Sequence, residues 1–450
     1  MRILYMITIP LLFATVTSVL AMDPEIGAQD QPNLDALPAP VYSGPLAEAG
    51  RWLHDNGIDL RLDYINIAQR APSFDFRKVG YGSFFIDVTG SLTPDLRVKF
   101  AETVNLPNDN VTGNLTAFLP PVVGVTDTAL ARFSLEADFL DDRLTVEAGR
   151  IGLARDFSIK GFCSGISCIN ATQGVSLNLP DDVRSVWGAR GAYKLAPNTT
   201  LGFGIIEDNP DNWQHGEGWN WGAGDAEGAI TVANIRHEET FLESAKPLKF
   251  ETGVYYRSTP YEDALYNSGW GNPTFGANTK TITHDGGTTA IYTHTRKVIW
   301  SDPANGMFPE NVAVYGGVLH VFGDGHSYPW EAYAGIEYSG FWKANPLATI
   351  GASFHYIRLS EKRAEYERNA RLFFSGVDQK QPKDMFMFDV HGSTGVFGNG
   401  ILDFGAAYII NPNSAFADFS TARQKDGVVI YAALAFDLST VLGLSPRRGP

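Results

Sequence analysis

The sequence predicts an all-β chain: a transmembrane antiparallel β-barrel of about sixteen strands, preceded by a short periplasmic helix. Three observations predict it. From Ile58 onward apolar residues recur with a period of two, and many of the alternating segments run to about ten residues, long enough for a tilted strand to cross a hydrocarbon layer of ~30 Å. Short turns alternate with long connections along the whole chain, as in barrels with tight turns on one side of the membrane and long loops on the other. Beyond the N-terminal segment no stretch approaches 18 apolar residues, so a spanning chain must span with strands, which satisfy their backbone groups only in a closed barrel.

Composition bounds the alternatives. The 450 residues are 44% apolar and 19% charged, which excludes a disordered chain. Lys+Arg total 35 against 50 Asp+Glu, a formal net charge of -15; this balance excludes a nucleic-acid partner, which needs a basic surface. The 46 glycines and 12% aromatic residues suit strands joined by many turns.

In chain order, Arg2 and the apolar run that ends at Ala21 read as a signal peptide, residues 1–21, and a bacterial outer-membrane destination is expected. Residues 22–44 form a polar, Pro-rich leader. A helix is expected over 45–57, with Pro45 in its first turn and Gly57 just past its end. Residues 58–444 form the barrel and 445–450 a tail. Ile58, Leu60, Leu62 and Tyr64 alternate with Asp59, Arg61 and Asp63; Ala131, Phe133, Leu135, Ala137 and Phe139 alternate with Arg132, Ser134, Glu136 and Asp138. Strand ends are aromatic at Tyr64, Phe139, Trp300, Trp330 and Trp342. The short turns are 91–95, 141–143 and 196–198. The long connections are 105–128, 153–183, 209–227, 259–287 and 361–383, the last with a short helix over 361–368.

In a large barrel the apolar phase meets lipid and the polar phase lines a wet lumen. Arg61, Asp63, Arg97, Lys99, Arg132, Glu136, Asp138, Arg190 and Arg257 hold that inward phase, with Arg296 beside them. They are the candidate pore-lining and substrate-contacting residues, since rings of charge govern what passes a pore. Trp213, Trp219 and Trp221 share one loop. They either stack on sugar faces at the mouth or hold the loop on itself or on another subunit. Cys163 and Cys168, the two cysteines of the chain, suggest one small disulfide loop in an oxidising compartment. Nucleophile elbows, phosphate loops and H-E-x-x-H are absent from the sequence. The nine His residues are scattered, so no catalytic group, metal site or cofactor is expected.

Four segments together resemble the carbohydrate-selective outer-membrane porin family. They are Gly50-Arg51-Trp52-Leu53 through Asn56-Gly57-Ile58; Leu144-Thr145-Val146-Glu147-Ala148-Gly149-Arg150 with Asp156-Phe157; the Cys163/Cys168 loop; and Phe404 to Pro412 with Tyr408 and Asn411-Pro412. The likeness covers about residues 44–438, and the order of the motifs is its stronger part. It implies a sixteen-stranded barrel, often a homotrimer in outer-membrane lipid, that passes monosaccharides such as glucose by diffusion. It also implies inward-folded loops and a constriction lined by Arg and acidic side chains. One departure is the tail after Phe436, where outer-membrane barrels usually end on an aromatic residue. The competing expectations are a general porin without sugar preference and a secreted β-rich protein that binds or hydrolyses carbohydrate.

Overall fold

The computed structural model describes residues 41–73, 78–106, 128–153, 157, 185–209, 219, 221–222, 224–276, 279–302, 309–380, 382–414 and 425–446. The signal peptide, Trp213, Cys163 and Cys168 lie outside them.

Sixteen strands close into one antiparallel barrel, each bonded to its neighbours in the sequence. They are β1 (Ile58–Arg70), β2 (Lys78–Thr93), β3 (Leu96–Leu106), β4 (Thr128–Phe139), β5 (Leu144–Ile151), β6 (Val186–Ala196), β7 (Thr199–Asp208), β8 (Gly228–Glu238) and β9 (Leu248–Arg257), then β12 (Thr288–Asp302), β13 (Glu310–Phe322), β14 (Trp330–Ser339), β15 (Thr349–Arg358), β16 (Asp384–Val396), β17 (Gly400–Ile410) and β18 (Gly427–Asp437). The small strands β10 (Tyr261–Glu262) and β11 (Thr283–His284) form a separate two-stranded sheet in the loop after β9. The first and last strands seal the barrel, in register from Asp63 opposite Asp437 to Arg70 opposite Ile430. No edge is left among the strands, so no open row of ladder donors and acceptors faces the membrane.

The alternation sorts side chains as expected. On β4, Phe133, Leu135 and Phe139 are exposed to the outside, while Arg132, Ser134 and Glu136 are buried inside. Phe139, Trp300, Trp330 and Trp342 are exposed at strand ends or just beyond them, the position of an interfacial aromatic girdle. Tight turns close one end. Pro94-Asp95 joins β2 to β3 and Pro197-Asn198 joins β6 to β7. At the β4–β5 turn Leu140, Asp141 and Asp142 all take positive φ, a conformation that Asp tolerates better than most residues.

Helix α1 (Ala47–Asp55) precedes β1, and Gly57 beyond it takes φ +70°. A short helix not expected from the sequence, α3 (Leu438–Leu442), follows β18 directly. Asp437 caps it, accepting from Thr440 N at 2.9 Å, and Gly443 ends it at φ +84°. The chain therefore does not end its last strand on Phe436 and trail away. Its C-terminal residues dock on the N-terminal helix: Leu46 N donates to Leu442 O at 2.8 Å, and Ser445 Oγ donates to Leu60 O at 2.6 Å.

At the opposite end, α2 (Glu361–Ser375) is twice the expected length. Ser360 caps its start by accepting from Arg363 N at 3.1 Å, and Gly376 at φ +69° ends it. Tertiary contacts carry the extension. Glu367 accepts from Arg363 at 3.0 Å and from Ser414; Arg371 Nη1 donates to Gln379 O at 2.6 Å. Asp263 ties α2 to the loop after β9 by accepting from Lys362 Nζ at 2.6 Å and bonding His284 Nε2 at 3.0 Å. Tyr261 is stacked between His284 and His326, with ring centroids 4.9 and 4.1 Å away.

Two predictions follow from these junctions. A Cβ on Gly50 of α1 would overlap the Gly443 carbonyl oxygen. Gly50→Ala should therefore lower the unfolding temperature of the barrel by an amount corresponding to about 1–3 kcal/mol, read by heat-modifiable gel mobility, with strand content by circular dichroism unchanged. In the loop sheet, burial holds His326 down at about 4. Its contribution to stability is whole above the ordinary histidine value near 6.5 and is lost as pH falls toward 4. Burial alone would raise Asp263, but hydrogen bonds from Lys362, His284 and two backbone amides hold it well below the usual carboxylate value, so its contribution is lost only at more acid pH. Hydrogen exchange should show residues 258–287 and 323–329 loosening between pH 7 and 4.5 while barrel strands stay protected; His326→Gln should abolish that step.

Candidate functional site: the lumen and its ion-pair network

Strand register builds the centre of the site. Across β3, β4, β5 and β6, Arg97 lies opposite Glu136, Glu136 opposite Glu147, and Glu147 opposite Arg190. The four form one transverse row, base–acid–acid–base. Two carboxylates directly opposite each other repel, so the row holds only because cations flank it. Arg97 Nε donates to Glu136 at 2.9 Å and its Nη2 to Asp138 at 2.5 Å. Lys99 Nζ donates to Glu136 at 2.6 Å. Arg190 donates to Glu147 at 2.6 Å and to Glu136 at 3.1 Å. Arg132 Nε lies 3.3 Å from Glu147, which also accepts from Ser134 at 2.5 Å. Thr145 donates to Asp138 at 2.6 Å.

Six of the nine expected lumen residues thus meet in one network: Arg97, Lys99, Arg132, Glu136, Asp138 and Arg190. Arg61 and Asp63 form a separate pair on β1 at 2.8 Å. Arg257 is separate too, at the extracellular end of β9, where it donates to Asp208, which also accepts from Thr259. Glu147, the fully buried partner of two of the arginines, is not among the residues expected from the sequence. Its signal was present, since it shares the inward phase of β5 with Thr145, but the pairing across β4 and β6 is invisible without register.

The other sector of the lumen is filled. A chain of buried polar side chains runs around it. Asn234 donates to Glu251 at 2.8 Å, and Tyr292 donates to the same carboxylate. Tyr333 bonds His294 at 3.0 Å; Tyr431 donates to Asp389 at 2.7 Å; His391 bonds Asp389 at 2.6 Å; Arg296 pairs with Glu337. These histidines belong to the wall, not to a metal cluster, and among the described residues no group of three potential ligands converges.

Toward the extracellular end an apolar cluster on β5–β9, β12 and β13 receives Leu153 and Phe157 from the loop after β5. Tyr255 Oη donates to the Phe157 carbonyl. Gly204 of β7 leaves the space, since a Cβ there would sit 2.7 Å from Leu153 and 3.0 Å from Phe157. Phe157, from the connection after β5, therefore sits inside the barrel.

Trp219 and Trp221 do not line the lumen. Trp219 packs near Phe100, centroids 6.4 Å apart, and Trp221 meets Phe133 and Trp187 at 5.8 and 5.7 Å, all on the outward phase of the wall. Trp187 Nε1 donates to Trp221 O at 3.0 Å. Beneath them lies Arg150, on the outward phase yet fully buried, 3.7 Å from Glu207 and under the faces of Trp187 and Trp221. Trp221, with Trp187, shields a cation on the outer wall, and Trp219 packs on Phe100 beside them, a placement that matches the packing alternative read from the sequence.

A closed barrel with an apolar outer belt and charged groups reached by water inside is a transmembrane pore of the outer-membrane class. A family model described as the carbohydrate-selective porin, OprB family, matches residues 103–430, and the chain belongs to that family. Porin B of Pseudomonas aeruginosa is 26% identical over 245 residues, 49% of this chain and 53% of that protein; the chain thus spans about half the length of this curated relative. The high-pH structure of Pseudomonas putida OprB superposes with a TM-score of 0.73 at 17% identity, covering 89% of this chain and 99% of that one. The low-pH structure has a TM-score of 0.51 at 13% identity over the same shares. Both show the same fold.

The network makes a stability prediction. Glu147→Gln withdraws the buried charge shared by Arg132 and Arg190 and should destabilise the barrel by about 3–5 kcal/mol. Asp138→Asn, at the more accessible end, should cost clearly less. Urea titrations of the two variants in detergent, side by side, check the order.

Proposed function

We propose that this protein is a passive outer-membrane pore for monosaccharides such as glucose, without a catalytic step. The observation that carries the reading is the Arg97–Glu136–Glu147–Arg190 row on the wall of a barrel of this family. It presents guanidinium groups, held by buried carboxylates within a few ångströms, as donors that can bond sugar hydroxyls. Binding by the half-buried arginines of the row, already paired to carboxylates, is weak enough for release, as conduction requires. The inward loop at Phe157 supports a pore narrowed to the size of a single sugar. The apolar outer belt speaks against the secreted alternative.

The homotrimer belongs to the same proposal. The outer wall around Arg150, with Trp187, Trp219 and Trp221 at its surface, supports a subunit contact there, because a buried cation suits protein neighbours better than lipid.

In planar bilayers the purified protein should give discrete current steps that fall saturably as glucose is added. Arg97→Ala should change both conductance and sugar block. Steps indifferent to glucose would leave a general porin.

A further inference from the structure

In most inward ion pairs the base is the more exposed partner and the acid lies beneath it. Side-chain exposure is 29% for Arg61 against 12% for Asp63, 23% for Arg97 against 6% for Glu136, and 16% for Arg190 against 0% for Glu147. Arg236 and Arg257, at 25% and 17%, cover fully buried Glu251 and Asp208; the exception is Glu238, which pairs with Arg236 and at 41% is the more exposed of the two. The cause is length: Lys and Arg stems reach over the shorter carboxylates and carry their heads into the water. The β3–β6 network itself sets four bases (Arg97, Lys99, Arg132, Arg190) against three acids (Glu136, Asp138, Glu147), one net positive charge.

The acids of the filled sector, Glu331, Glu337, Asp389 and Asp403, are all buried. The inward-phase acids that water does reach are Asp59 and Glu238 at the periplasmic ends of β1 and β8, the half-buried Asp87 opposite Arg61, Asp138 within the network, and Asp437 at the end of β18, which caps α3. A chain of net charge -15 thus encloses a passage whose water-facing layer is basic.

We infer that the lumen selects anionic monosaccharides, the sugar carboxylates such as uronates and aldonates, over neutral sugars and over cationic amino sugars. The inference rests on the pore reading above and names its preferred substrate class. A carboxylate can take two parallel N–H bonds from one guanidinium, a contact that a neutral hydroxyl cannot match and an ammonium cannot make. The basic layer would also concentrate small anions in a narrow, low-dielectric passage.

The test uses the full-length protein in planar bilayers at roughly 0.1 M KCl, where the screening length is ~10 Å. A KCl gradient should give a zero-current potential of the sign for chloride over potassium. Glucuronate should block the current at a concentration roughly threefold or more below that needed for glucose, with glucosamine weaker than both. Arg61→Gln, outside the dense network, and Lys99→Gln should each move the potential toward potassium and narrow the gap between glucuronate and glucose. The wild-type readings stand even if Lys99→Gln fails to fold. A potassium-selective or neutral potential, or equal block by glucuronate and glucose, overturns the inference and leaves the sugar pore intact. Absence of conductance, or of any effect of glucose, removes the pore reading and this inference with it.

Discussion

Everything in this barrel depends on register. Antiparallel pairing from β1 round to β18 puts one phase of every strand inside and the other outside, and a slip of one residue would exchange them. A slip on β3 alone would turn Arg97 and Lys99 outward and Val98 and Phe100 inward. Each Arg or Lys at the bilayer midplane costs about 2–4 kcal/mol, so the charges that line the lumen also hold the strands in place. The closing pair, β1 with β18, fixes this register for the whole ring.

Charges inside the ring face a second constraint, because the lumen is too crowded to leave them fully hydrated. Two solutions coexist. In the sector from β3 to β6 bases flank two adjoining carboxylates and keep their heads in water. In the sector from β12 to β18, with β8 and β9, tyrosines, histidines and carboxylates are linked by hydrogen bonds and buried. Arg150 is a third case: a cation on the outward phase, enclosed by Trp187, Trp221 and Glu207 rather than exposed to lipid.

The two ends of the barrel differ in what holds them. The periplasmic end is closed by tight turns and by α1 resting on α3, backbone against backbone at Gly50 and Gly443. The extracellular end is held by side chains, with Asp263, Lys362, Glu367 and Ser414 linking three loops through α2. Burial of His326 makes the loop contacts of this end sensitive to acid.

Period-two alternation made the strands, their inward phase and the short turns legible, because each depends on residues adjacent in the chain. The helix ahead of β1 was legible for the same reason, from Pro45 and Gly57. What lay beyond the sequence was every contact between distant segments. The pairing of Arg97 with Glu136, 39 residues away, and of Arg257 with Asp208, 49 away, follows from register and not from pattern. The extension of α2 past 368 comes from Ser414 and from the carbonyl of Gln379. Trp219 and Trp221 read as a sugar platform or as packing; only the structure places Trp221 over Arg150 and Trp219 against Phe100. Local alternation determines which face a side chain takes, but the partner it meets there depends on how the ring closes, and closure is a property of all sixteen strands together.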